Sequence, residues 1–331
     1  WRQARLNAIH GLFEIAPGLY QVRGFDLSNI TFIEGREGAI VVDPLISAEP
    51  AAAALALYRQ HRGSRPVKAV IYTHSHVDHY GGVRGVLSND DIASGLQILA
   101  PEGFLKEATS ENILAGNAMG RRATYMYGAL LPAGPRGHID AGLGKTTSMG
   151  AVSLVPPTDS ITRTGETRCI DGVDIVFQMT PDSEAPAEMN FYFPQFRALC
   201  VAENCTCHLH NILTPRGAQV RDAKSWSRYI NEAIKLFAPG SDVVFASHHW
   251  PRWGSSPAGW DPGSIEEGWQ AMADLQKAGK VRYVGASNFT RDDLSRANAV
   301  APVTSLQPPY SLLRRDAEAD LFPWCLEHGT G

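Results

Sequence analysis

The chain has 331 residues, 44% hydrophobic and 19% charged, with 31 glycines and 21 prolines. That composition excludes disordered and collagen-like classes, and the length predicts two domains at roughly 150 residues each. Lys+Arg 30 against Asp+Glu 34 gives a net charge of -4, so no nucleic-acid partner is expected, and no apolar run approaches the ~20 residues of a membrane-spanning helix.

The opening reads as a sheet. Thr31–Ile33 and Ala39–Val42 flank Glu34-Gly35-Arg36-Glu37-Gly38 as a hairpin. Ser47 is placed to cap a helix over Ala48–Gln60, with Pro50 tolerated in its first turn. Val67–Tyr72 is a buried strand by length and β-branching, Gln97–Ala100 another, and a helix is expected after Pro101. Residues 116–150, rich in Gly, Pro and Arg, read as a long loop. Asp171-Gly172 predicts a hairpin turn into Asp174–Met179. Strands follow at Met189–Phe193, Ala198–Ala202 and Asp242–Ala246, with a helix over Ala223–Phe237. The alternation points to an α/β sandwich.

The character changes near Ser255, where Ser255–Gly259 reads as a linker. Ser264 then caps a helix with Ile265, Trp269, Met272 and Leu275 on one face, before a strand at Val281–Gly285, a helix over Arg291–Ala299 and a strand near Val303–Leu306. The five cysteines, Cys169, Cys200, Cys205, Cys207 and Cys325, are odd in number and unevenly spread, so no disulfide framework is readable. Trp1-Arg2-Gln3 opens the chain with no initiator methionine or apolar leader core. The compartment stays open between cytoplasmic and periplasmic or secreted.

The strongest chemical signal is His74-x-His76-x-Asp78-His79, directly after the strand Val67–Tyr72. Histidines at i and i+2 on an extended segment share one side, and Asp78 and His79 in the following turn can face a second metal. Burying so many donors without cations is costly. Gly81-Gly82 permits a tight turn beyond them. Cys205-Thr206-Cys207 is too closely spaced for a structural zinc clamp. Trp250 and Trp253 read as core, and His10, His61, His138, His208 and His210 as capping, surface or supporting groups.

Thr73–Gly82 resembles the metal-binding loop of the metallo-β-lactamase superfamily. Met189–Pro194, Ala202-Glu203-Asn204, His210-Asn211, Arg216-Gly217-Ala218, Arg221-Asp222 and Ser247–Pro251 resemble its alkyl sulfatase branch, as do Ile9–Glu14 and Arg121–Gly128. The resemblance covers about residues 1–254 and implies an αββα sandwich. It implies that His74, His76 and Glu184 hold one Zn²⁺, that Asp78, His79 and His248 hold a second, and that Glu203 bridges them. Glu188 rivals Glu184, and His249 rivals His248. Two zinc ions, three carboxylates and one hydroxide balance in charge, and a metal lowers the pKa of bound water to ~7. Asp78 and Glu203 are thus the expected catalytic carboxylates. Arg216, whose planar fork suits a tetrahedral oxyanion, and Asn211 are expected on the sulfate, with Tyr127 lining the entrance beside Tyr125, Arg121 and Arg122. The implied reaction is hydrolysis of linear alkyl sulfates of the dodecyl sulfate type. The alternatives are another ester or β-lactam hydrolase of the superfamily, or a zinc-binding fragment without turnover.

Members of that branch continue into a helical dimerisation domain and a sterol-carrier-like domain, neither of which is recognised here; a homodimer fits the family, but not through that domain. Residues ~260–331 instead resemble later segments of an aldo-keto reductase, on Gly279–Phe289 and Ser305–Ser311. There Ser287, Asn288 and Gln307 would lie against a nicotinamide amide. A (β/α)₈ barrel needs ~250 residues, so this stretch is expected to be a truncated, partial barrel without NADP chemistry. Its first helix is expected to dock on the sandwich through Ile265, Trp269, Met272 and Leu275, and its strands to lack partners.

Overall fold

A computed structural model describes residues 2–206, 210–254, 265–311 and 314–331. Ser255–Gly259, Ser264, Cys207 and His208 lie outside them. Backbone contacts divide the chain into Trp1–Trp260 and Asp261–Gly331.

In the first unit, β1 (Gly11–Ala16), β2 (Leu19–Arg23), β3 (Ile30–Glu34), β4 (Ala39–Val42), β5 (Val67–Ile71), β6 (Gln97–Pro101) and β7 (Asp159–Ile161) form a seven-stranded sheet in chain order. It is antiparallel up to β4 and parallel from β4 to β7. A six-stranded sheet contains β8 (Thr167–Ile170), β9 (Val173–Met179), β10 (Met189–Phe193), β11 (Ala198–Cys200), β12 (Val243–Phe245) and β13 (Arg252–Trp253). Asp171 and Gly172, both at positive φ (49° and 81°), join β8 to β9 in the tight turn that the Asp-Gly pair predicts.

Period-two alternation sets the layers. Ile40 and Val42 of β4 join Ile71, Phe177, Phe191, Phe193 and Phe245 in the core between the sheets. Val41, on the other face, joins Ala51, Ala54, Leu55 and Tyr58 of the helix Ala48–Arg62. Leu199 and Val244 likewise turn outward, to Ala233 and Phe237 of the helix Ala223–Phe237. The result is the expected helix–sheet–sheet–helix sandwich.

Three local expectations are corrected. Residues 116–150 are not all loop, because Gly116–Met126 is helical. Two helix-weakening glycines and a single buried residue, Met119, hid its periodicity. Ser47 precedes the first long helix, but its hydroxyl is engaged with Ser148 Oγ at 2.6 Å and does not cap. Trp253 is 53% exposed and is not core; its indole N–H donates to the Ile15 carbonyl at 2.8 Å. Trp250 is half-buried, with the Arg23 guanidinium over its ring.

The second unit has helices Ile265–Lys277, Arg291–Val300 and Leu321–His328, and a parallel strand pair, β14 (Gly285–Ser287) and β15 (Ser305–Gln307). Its strands are therefore paired, contrary to expectation. Trp269 is buried among Val284, Leu294, Ala297 and Trp324 of its own unit, so that helix face serves a local core. Met272 and Leu275 are exposed. Ser287 and Asn288 meet Gln307 at the strand ends, with Asn288 N–H donating to the Gln307 carbonyl at 3.2 Å.

Candidate metal centre

Four strand ends deliver the donors. The segment after β5 carries His74, His76, Asp78 and His79; Glu184 follows β9, Glu203 follows β11, and His248 follows β12. All seven residues are buried. His74, His76, Glu184 and Glu203 converge as one donor group and Asp78, His79, Glu203 and His248 as another, each within 4.8 Å, with Glu203 common to both. Glu203 Oε2 lies 3.5 Å from the Nε2 of His74 and of His79 and 3.2 Å from that of His248. His76 presents Nδ1 instead, 2.9 Å from Glu184 Oε2. Asp78 Oδ2 closes the second group, 3.1 Å from His79 Nε2 and 3.3 Å from His248 Nε2.

The inward atoms fit metal ions. Among the described residues, the Nε2 atoms of His74, His79 and His248 and Oε2 of Glu184 are buried without a hydrogen-bond partner. Such atoms are rare and costly unless something satisfies them. Their opposite ring nitrogens are held: His74 Nδ1 by Thr73 Oγ1 (2.9 Å), His79 Nδ1 by Asp43 Oδ2 (2.8 Å) and His248 Nδ1 by the Leu27 carbonyl (3.2 Å). Fixing Nδ1 aims Nε2 inward, as metal-binding histidines require.

Electrostatics follow from crowding. Burial, with His79 adding to it, lowers the His74 pKa to about 4. For Glu184, burial and the Glu203 charge push upward, yet His76 and Arg221 outweigh them and hold it down at about 2. Burial also opposes charge on His248, but Glu203 and Asp78 raise its pKa to about 10.

Backbone strain clusters here. Asp43, Asp182, Ala202 and His249 have φ of 54°, 61°, 49° and 60°, costly for residues with a Cβ. Ala202 and His249 adjoin Glu203 and His248, so the strain aims donors. Gly81 and Gly82 are needed for space rather than φ: a Cβ would meet the Ile46 and Pro44 carbonyl oxygens at 2.1 and 2.2 Å.

The rivals separate. Glu188 accepts from Ser183 Oγ and from the backbone N–H groups of Ala185 and Glu203, so its carboxylate is engaged in holding loops. His249 Nδ1 contacts Gln3 Nε2 at 2.8 Å, and His249 is in neither donor group.

Arg216 Nη1 donates to Glu111 Oε2 at 2.8 Å. Asn211 is exposed, and its Oδ1 accepts from Arg221 Nη1. Burial raises the Tyr127 pKa, and the charge of Asp78 adds to it. Tyr125 is 78% exposed and Arg121 and Arg122 are exposed. His10 and His61 are exposed and His138 is half-buried.

Sequence reasoning underrated His210, whose Nε2 lies 2.9 Å from Glu203 Oε1, and missed Asp43, Glu111 and the Arg221 clamp on Glu184. His210-Asn211, and Asp43-Pro44 directly after β4, marked two of these places without showing what they reach. Nothing local marked Glu111.

Residues 23–248 match the family described as Metallo-beta-lactamase superfamily, and residues 240–331 match the Aldo/keto reductase family. A linear primary-alkylsulfatase of Pseudomonas sp. is 56% identical over 77% of this chain and 38% of its own length. An alkyl/aryl-sulfatase of Saccharomyces cerevisiae is 52% identical over 77% of this chain and 40% of its own. The solved structure of a stereoselective inverting sec-alkylsulfatase from Pseudomonas sp. superimposes with a TM-score of 0.75 at 43% identity, covering 89% of this chain and 46% of that one. The chain thus spans about two fifths of the curated relatives' length. With a family match over most of its sandwich and donors gathered at the strand ends, the chain belongs to the metallo-beta-lactamase superfamily.

Proposed function

We propose that residues 1–254 form a metal-dependent hydrolase domain that cleaves alkyl sulfate esters to alcohol and inorganic sulfate, on linear chains of the dodecyl sulfate type. The observation that carries this is the shared Glu203 oxygen, ringed by three imidazole nitrogens, in a chain similar to proteins named alkylsulfatases. His74, His76 and Glu184 would hold one zinc ion, Asp78, His79 and His248 a second, and Glu203 both. When bound, such ions supply Lewis acidity and lower the pKa of water to ~7.

The chain's own residues do the rest. Asp78 has the most open side chain of the carboxylate donors, 12% exposed against 2% and 3% for Glu184 and Glu203. It is therefore the donor carboxylate most open to incoming water. His210 and Arg221 pin Glu203 and Glu184, which keeps both carboxylates from swinging away. Arg216, with one guanidinium edge held by Glu111, offers a fixed cation for the sulfate, and Asn211 and Tyr127 are its proposed companions on the substrate. Sulfate leaves readily as an anion, so little is asked of a general acid.

The test is release of inorganic sulfate from dodecyl sulfate by metal-loaded protein, with and without chelator. No chelator-sensitive release from intact, loaded protein overturns the reading. A second reading is a metal-binding piece without turnover; full metal content with no sulfate release selects it. Residues 255–331 are proposed to be an aldo-keto-reductase-like piece without NADP chemistry.

A further inference from the structure

Glu111 is a buried acid with two demands on it. It sits in the wide turn Ser110–Leu114, a π-helical insertion continuing the helix Phe104–Thr109; such insertions often mark functional positions. The wider turn sends Ile113 and Leu114 to solvent, 67% and 85% exposed, while Glu111 turns inward at 8%. Its Oε2 accepts from Arg216 Nη1 at 2.8 Å and lies 3.7 Å from His76 Nε2. Among the described residues its Oε1 is buried with no hydrogen-bond partner. His76 is the histidine of the cage that turns Nδ1 inward, so its Nε2–H faces outward, toward Glu111.

We propose that Glu111 is a positioning residue joining the metal centre to the anion site: one carboxylate oxygen takes the His76 Nε2–H and the other holds Arg216. The same Oε2 now faces both partners, and the unpartnered Oε1 is the acceptor that lets the two be served by separate oxygens once the carboxylate turns. A carboxylate behind a ligating histidine fixes its ring and raises its basicity. The same carboxylate sets the distance between the cations of the centre and the guanidinium that meets an anion. The anion's identity as sulfate rests on the function proposed above; the support of His76 does not.

The test uses the full chain and the E111A and E111Q variants, with metal uptake followed by cobalt(II) titration and zinc competition. Binding of inorganic sulfate to loaded protein is measured separately, without turnover. E111A is expected to weaken one of the two metal-binding steps by about 10–100-fold, leave the other unchanged and weaken sulfate binding. E111Q keeps one acceptor oxygen and the side chain's shape, so it should recover one of the two losses but not both. Unchanged metal and sulfate affinities in E111A overturn the proposal, and so does an equal loss at both metal steps, which marks a merely structural role. If wild-type protein hydrolyses no alkyl sulfate while E111A still loses one metal step, the hydrolase reading fails and the support of His76 stands.

Discussion

Asp43 and His79, 36 positions apart, meet in a fully buried contact, with Asp43 Oδ2 2.8 Å from His79 Nδ1. The same carboxylate accepts from the Thr73 backbone N–H and hydroxyl and from Ser247 Oγ, at 2.8, 2.7 and 2.5 Å. One side chain thus ties the ends of β4, β5 and β12 together beneath the cage. Asp43→Asn replaces an acceptor oxygen with an amide N–H that faces donors. Metal affinity should fall about 10–100-fold, and stability by about 1–3 kcal/mol, measured by chelator competition and urea unfolding.

Glu203→Ala removes the oxygen common to both donor groups. On the two-ion reading proposed above, metal content by elemental analysis should drop from two ions to at most one per chain. Two tightly held ions in the variant would exclude Glu203 as the bridge.

Arg216→Ala should raise the KM for alkyl sulfates by about tenfold or more, the loss of a charge-assisted contact, while metal content stays as in the parent. Arg216→Lys should recover little, because a point charge does not reproduce the fork.

The pH dependence follows from His248, whose pKa of about 10 in the metal-free fold means it is protonated at neutrality. Metal uptake must displace that proton. Calorimetry in buffers of different ionisation enthalpy should show proton release at pH 7, and affinity should rise with pH. In the metal-free chain the raised value favours the folded state fully below the unfolded-state pKa of ~6.5. That contribution is lost as pH rises through about 10.

A chain ending after Gly254 should keep its metal content if residues 255–331 are a passenger. Elemental analysis against the full chain, after matched purification, decides this, and loss of metal on truncation would assign the tail a supporting role.

The strands and long helices were legible because apolar alternation and β-branching at Ile40–Val42, Val67–Ile71 and Met189–Phe193 are local signals. The helix Gly116–Met126 was not, since it buries little and its glycines blur the pattern. The His74–His79 segment announced itself because its donors are adjacent in the chain. Glu184 and Glu203 needed the family resemblance, for an isolated acid after a strand looks like any surface acid.

By itself, the order of residues determined the layers, the donor-rich segment after β5 and the change of character near residue 255, because each depends on near neighbours. Only the tertiary structure decided that Glu184, not Glu188, faces the cage, that Asp43 stands behind His79, and that Glu111 lies between His76 and Arg216. Those pairings depend on which strand ends lie side by side, and the packing of two sheets sets that across long separations, 204 positions between Asp43 and Ser247.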